Sequence, residues 1–164
     1  MKLSLFPRQG ATADAFVGEP GPRSSFLLNP AGLGDMDQAD LSFSHTQWIQ
    51  DTRSQVVALR VPFDGGSAAA FVATTSVGEI EIRTQPGPAA GTFTARTVVI
   101  GTAIAGSIVS GVSGGMTVKY LYDKVYIDEA TGYAVDAGLL YRTPVAGLTA
   151  GAAVTNVGTM SAYR

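Results

Sequence analysis

No charged side chain occurs between Arg96 and Lys119 in the stretch RTVVIGTAIAGSIVSGVSGGMTVK. A run that long admits few structures. It is enough for one transmembrane helix, which takes about 20 apolar residues. It also fits two membrane strands joined by a turn, or a buried strand pair in a water-soluble protein. Periodicity separates these. Even positions from Val98 through Ile100, Ile104, Ile108, Met116 and Val118 to Tyr120 and Tyr122 are largely apolar, whereas odd positions such as Gly101, Ala103, Ser113, Gly115, Thr117 and Lys119 are small or polar. A period of two predicts a strand hairpin, with Gly106 and Ser107 as its tight turn. Gly111 and Gly115 form a GxxxG helix-packing motif. Against a helix stand the many glycines, each costing a soluble helix about 1 kcal/mol relative to Ala, and the β-branched majority among the apolar residues.

The same alternation recurs at 39–49, 53–63, 67–76, 133–143 and 148–157, for seven main strands in all. The predicted turns at 64–66, 106–107 and 144–147 are short, as is the link at 50–52, whereas 77–93 and 123–132 read as long loops. Short turns on one rim and long loops on the other are the habit of bacterial outer-membrane barrels. In YAVDAGLLYR, Tyr133, Val135, Ala137, Leu139 and Tyr141 share a face, and Asp136, Gly138 and Arg142 share the other. The expected fold is all-β: an antiparallel up-and-down meander of seven to eight strands, part of a transmembrane β-barrel over 39–164, after an N-terminal segment over 1–38. Lys119, Asp136 and Arg142 then face the lumen, and Tyr120, Tyr122, Tyr133 and Tyr141 sit at the lipid interface. A soluble sandwich, with its apolar face turned inward, is the competing architecture.

Single-chain bacterial barrels have an even strand number and no open edge. Pro7, Arg8 and Gln9 interrupt any secretory h-region, and the chain stops at GTMSAYR without a terminal aromatic strand. These features predict part of a larger barrel, with a signal peptide upstream; an eight-strand barrel completed by the N-terminal segment is the alternative.

Charged residues make up 15% of the chain and the net charge is −2, with Lys and Arg scattered, so no basic stripe suits nucleic acid. Cysteine is absent, which excludes disulfides and thiolate chemistry. His45 is the lone histidine and lies mid-strand without a nucleophile motif. DMDQAD, with Asp35, Asp37 and Asp40, lacks the central Gly and distal Glu of a calcium loop. GVSGG has no P-loop Lys. Neither an enzyme nor a bound metal or cofactor is expected. Glu79, Glu81 and Arg83 alternate with Ile80 and Ile82, which predicts a hairpin standing above the membrane.

LLNPAGL, over 27–33, precedes the first strand. Pro30 fixes φ and Gly32 permits a tight turn. Asn29, Pro30, Ala31, Gly32 and Leu33 form either an ordinary loop feeding a strand or a hatch packed in the lumen, where Gly101, Ala103, Gly111 and Gly115 leave space.

AFVG (15–18), LLNPAGL, LSFSHTQWIQD (41–51), GEIEIRTQPGPAAGTFTA (78–95) and MTVKYLYDKVYIDEATGYAVDAGLLYRTP (116–144) together resemble the PorV/PorQ family within the FadL-like outer-membrane barrels. NPAGL is shared across the wider group; the block from Lys119 to Tyr141, following SHTQWI, is the more specific. The resemblance implies a longer outer-membrane barrel, of which this chain is the N-terminal half, with residues 29–33 entering the lumen. It implies a role in type IX secretion with secreted cargo or secretion-system proteins as partners, or, as in FadL relatives, admission of hydrophobic molecules. A soluble β-sheet binding protein is the third reading. EPGPRSSF (19–26) departs from the acidic, small-residue stretch expected before NPAGL.

Overall fold

The computed structural model describes residues 6, 11, 15, 17–20, 25–34, 36–83 and 85–164. Two 3-10 turns, Ser25–Leu27 and Pro30–Leu33, precede seven strands: β1 (Asp40–Gln47), β2 (Thr52–Phe63), β3 (Gly66–Ile82), β4 (Gly91–Val109), β5 (Val112–Val125), β6 (Asp128–Arg142) and β7 (Thr149–Met160). They form one sheet in chain order, each strand antiparallel to the next. The fold is an all-β meander, and β1 and β7 are its two edges. Among the described residues no helix is long and apolar enough to cross a membrane; the stretch 96–119 is the antiparallel hairpin of β4 and β5.

Register carries the alternation from strand to strand. One lateral row runs Leu41, Leu59, Ala70, Thr102, Val118, Val135, Val157, each the direct partner of the next. These side chains point to an uncovered outer face: Leu41 is 71% exposed and Val118 52%. Each neighbour one residue along points the other way, as strand geometry requires. Ser42, Ala58, Phe71, Gly101, Lys119 and Ala134 make the adjacent inner row, in which Ala58, Phe71, Lys119 and Ala134 are buried. The apolar side chains are therefore mostly outside, and the small and polar ones inside.

Described residues of the N-terminal segment pack on the inner face. Phe26 and Leu33 pack with Ala58, Ala69, Phe71, Ala103 and Ala105, and the Phe26 and Phe71 rings meet edge to face at 5.7 Å. Burying the first two contributes about 2 kcal/mol each. Phe6 caps a second cluster with Val56 and Ala73.

Three expectations about the connections need correction. Gly106 and Ser107 are not a turn. They pair with Gly114 and Ser113 inside the β4–β5 ladder, and the turn lies at Ser110 and Gly111. Gly106 is small because a Cβ there would sit 2.5 Å from the Gly65 carbonyl oxygen. Gly111 is the residue with left-handed φ, +79°. The stretch 123–132 is not a loop either: β5 and β6 run through it to a two-residue turn at Tyr126 and Ile127. Its charges face each other, with Lys124 opposite Glu129 in the register and bonded to it at 2.6 Å. Opposite charges across strands stabilise a hairpin. This contact, followed by the Tyr122 hydroxyl, lowers the Glu129 pKa, and the same contact raises that of Lys124. Finally, 77–93 is mostly strand. Beyond a bulge at Gly78 and Glu79, β3 and β4 continue pairing from Ile80 opposite Phe93 to Ile82 opposite Gly91.

Replacing Gly111 by Val forces a β-branched residue into a left-handed conformation beside the Arg142 carbonyl. The expected loss is roughly 1–2 kcal/mol, measured by denaturant titration in detergent, with the strand content by circular dichroism unchanged.

Candidate functional site

A second inner row is built for close approach. Ser67, Ala105, Gly115, Gly138 and Ala153 are successive cross-strand partners on β3 to β7. None carries a side chain beyond one heavy atom past Cα except Ser67. Onto this floor the segment 29–33 is seated, with Asn29, Pro30, Ala31, Gly32 and Leu33 all buried. A Cβ on Gly115 would lie 2.5 Å from the Pro30 carbonyl carbon, and one on Gly138 would overlap the Asn29 side-chain oxygen. The two glycines face each other directly across β5 and β6. Together they form a notch the width of a backbone.

Asn29 uses its amide fully. Its Oδ1 accepts from the Ala31 backbone N–H at 3.0 Å, capping the 3-10 turn that Pro30 opens. Its Nδ2 donates to the Leu139 carbonyl on β6 at 3.0 Å and to the Val17 carbonyl at 2.7 Å. One side chain thus ties the segment to itself, to the wall and to an earlier part of the chain. That earlier part runs along β7: Thr149 Oγ1 donates to the Gly18 carbonyl at 2.5 Å, and Gly151 has no room for a Cβ against Val17. The described residues 17–20 therefore lie against β7, and 25–33 lie on the inner face toward β3.

Two ion pairs, one buried and one partly buried, flank the seat. Asp40, Arg60, Ala69, Ala103, Thr117 and Asp136 form the intervening inner row. At one end Arg60, 2% exposed, pairs with Asp40. At the other, Lys119 pairs with Asp136, 1% exposed, and donates to Asn156 Oδ1 at 3.1 Å. Asp136 also accepts from the Asn156 backbone N–H at 2.7 Å. Asn156 has φ of +59° at the point where the β6–β7 register slips. The carboxylate satisfies the N–H that the bulge withdraws from the ladder.

Lys119 and Asp136 thus stand together on the inner face. Arg142 stands apart at the short-turn rim, half-buried, beside a cavity of about 610 Å³ shared with Gly34, Asp37 and Ser107. On the outer face Tyr120 and Tyr133 are partners with ring centroids 5.3 Å apart, Tyr122 lies one row beyond them, and Tyr141 lies at the opposite end of β6. Of the small residues expected to accommodate 29–33, Gly115 does so directly and Ala103 lies in the cluster under Leu33. Gly101 does not: the Phe71 ring fills its space. Gly111 is the turn residue. Gly138 and Gly151 were not singled out as seats, although Gly138 shares the Asp136 face in the sequence. His45 is exposed on the outer face, with Nδ1 3.3 Å from Gln55 Nε2. Asp37 is exposed, Asp40 is held by Arg60, and Asp35 lies outside the described residues, as do residues 21–24 of the 19–26 stretch. Among the described residues no group of three His, Cys, Asp or Glu could hold a metal.

No family model, curated protein or solved structure matches the chain.

Gly138→Val is expected to unseat residues 29–33 while leaving the strands paired, so that chymotrypsin cleaves near Phe26 to Leu28 much faster than in the parent chain. Gly91→Val, where a Cβ meets nothing within 4 Å, is the control and should leave cleavage unchanged. For the ion pair, Lys119→Met strands a buried carboxylate and should cost on the order of 3–5 kcal/mol in a denaturant titration, whereas Lys119→Met with Asp136→Leu should come close to neutral.

Proposed function

We propose that this chain forms a hatch-bearing wall of an outer-membrane β-barrel of PorV/PorQ type. In this reading it is non-enzymatic and takes part in secretion by binding protein partners. One observation carries the membrane assignment: the sheet is inside out. Its covered face holds Lys119, Asp136, Arg60 and a floor of Gly and Ala, and its bare face holds Leu41, Phe43, Leu59, Ile104, Met116 and Val157. A soluble sandwich would cover that bare face with a second sheet, and the described residues form a single one.

The dimensions agree with a bilayer. From Tyr133 to Tyr141 the outer face of β6 spans about 27 Å along the strand at 3.4 Å per residue. Tilted by about 40°, that is roughly 20 Å of height, close to the apolar band of outer-membrane barrels. The unpaired edges β1 and β7 call for further strands to close the wall. Lipid is the partner of the bare face, and the outer membrane is the location.

Partner binding falls to the rim where the strands project. There β3 and β4 continue past the bulge at Glu79, with the Arg83–Glu81 ion pair at 2.6 Å on their tip. The β5–β6 tip stands beside them, joined to β4 through the Phe93 and Tyr126 rings at 5.5 Å. A second reading, admission of hydrophobic molecules, draws on the seat of 29–33. In that reading the segment on the Gly floor, held by the bonds of Asn29 and the packing of Leu33, is the part that moves.

The chain refolded into detergent or liposomes should protect β2 to β6 from protease. A monodisperse detergent-free preparation with a cooperative melt sinks the membrane reading. Val118→Arg, near mid-height on the bare face, should cost roughly 2–4 kcal/mol of folding in a bilayer. Co-purification with secreted cargo supports the secretion role. Uptake of a hydrophobic probe that disappears on deleting 27–33 supports the channel instead.

A further inference from the structure

Two arginines stand together on the outer face. Arg53 on β2, Ser76 on β3 and Arg96 on β4 are consecutive cross-strand partners. With strands about 4.8 Å apart, the two arginine backbones are roughly 10 Å apart across one intervening serine. Among the described residues neither arginine has a carboxylate in ion-pair reach, whereas the next cation along the row, Lys124, is taken by Glu129. Arg53, Gln55, Thr74, Ser76, Arg96 and Val98 line a hollow of about 350 Å³. Its polar side chains are two guanidiniums, one amide and two hydroxyls, all able to donate, with no acid among them. That donor set fits the oxygens of a phosphate, which arginine binds in a forked, two-bond manner.

The level of the hollow identifies the rest of the ligand. One row toward the middle of the sheet from Gln55, Thr74 and Val98 lie Val57, Val72 and Ile100, each partnered to the next and all exposed. A ligand with its anion between the arginines has apolar wall directly below it. We infer that Arg53 and Arg96 bind the phosphate-bearing headgroup of an anionic membrane lipid whose acyl chains lie over Val57, Val72 and Ile100. This rests on the membrane reading of the bare face. It adds a fixed lipid site at the boundary of the apolar band, on the rim where the strands project.

The test uses the full chain in mixed micelles of phosphatidylglycerol and phosphatidylcholine, with retained lipid read by native mass spectrometry and strand content by circular dichroism. Phosphatidylglycerol should be retained in preference. Arg53→Gln and Arg96→Gln should each lower that retention about fivefold, and both together about thirtyfold, at about 1 kcal/mol per basic residue near an anionic surface. Arg53→Lys with Arg96→Lys preserves the charge and should keep most of the preference, which guards against misfolding of the glutamine variants. Equal retention of the two lipids, or full retention by a folded double glutamine variant, overturns the proposal while leaving the membrane assignment intact. Displacement of the lipid by millimolar inorganic phosphate overturns it in favour of a free-phosphate site. A chain that enters neither micelles nor liposomes removes the membrane reading, and this inference with it.

Discussion

The antiparallel register is the constraint on which the rest of this molecule depends. In a strand the side chains alternate strictly between faces, so a slip of one residue between neighbours would exchange the two faces over everything beyond it. Here the pairing keeps Leu41, Leu59, Thr102, Val118 and Val135 in a single row, and Arg60, Ala103, Thr117 and Asp136 in the next. Because the rows stay intact, five small residues on five strands coincide as one floor. No single strand contains that surface. It exists only because Gly115 and Gly138 meet across β5 and β6.

Where the register does slip, a polar group compensates. The β6–β7 irregularity at Asn156 would leave an N–H without a strand partner, and the Asp136 carboxylate accepts it. Lys119 then neutralises the carboxylate, which is what a buried charge needs to be tolerated. Lys119 and Asp136 are thus parts of the wall's own construction. They lie on the covered face for the same reason that Val118 and Val135 lie on the bare one: each is one residue along from its opposite. The ion pair and the apolar band are two consequences of one alternation.

The two faces divide the proposed tasks. The inner face holds residues 29–33 by shape, by the packing of Leu33 and by a few hydrogen bonds, chiefly those of Asn29. In that proposal the outer face meets hydrocarbon across its middle and headgroups at its projecting rim, where Arg53 and Arg96 lie one strand apart. Loops contribute less than expected to that rim. Continued pairing of β3 with β4 and of β5 with β6 builds it, and paired strands place side chains more firmly than loops of the same length.

Alternation in the chain sufficed for the strand count, the order of faces and the sides on which Lys119, Asp136 and the tyrosines lie, because period two is local and survives any arrangement of neighbours. The turns were less legible. Gly106 and Gly111 look alike in a sequence, but only Gly111 adopts a left-handed φ, and Gly106 is small because Gly65 approaches it from another strand. The charges of 123–132 suggested a loop because cross-strand pairing of Lys124 with Glu129 is invisible until the partner strand is placed. The residues 29–33 were recognisable as a compact unit, yet loop and hatch stayed equally open. Deciding where that unit sits took the notch at Gly115 and Gly138, residues separated by a whole hairpin. Their coincidence, unlike the alternation, is a property of the folded sheet.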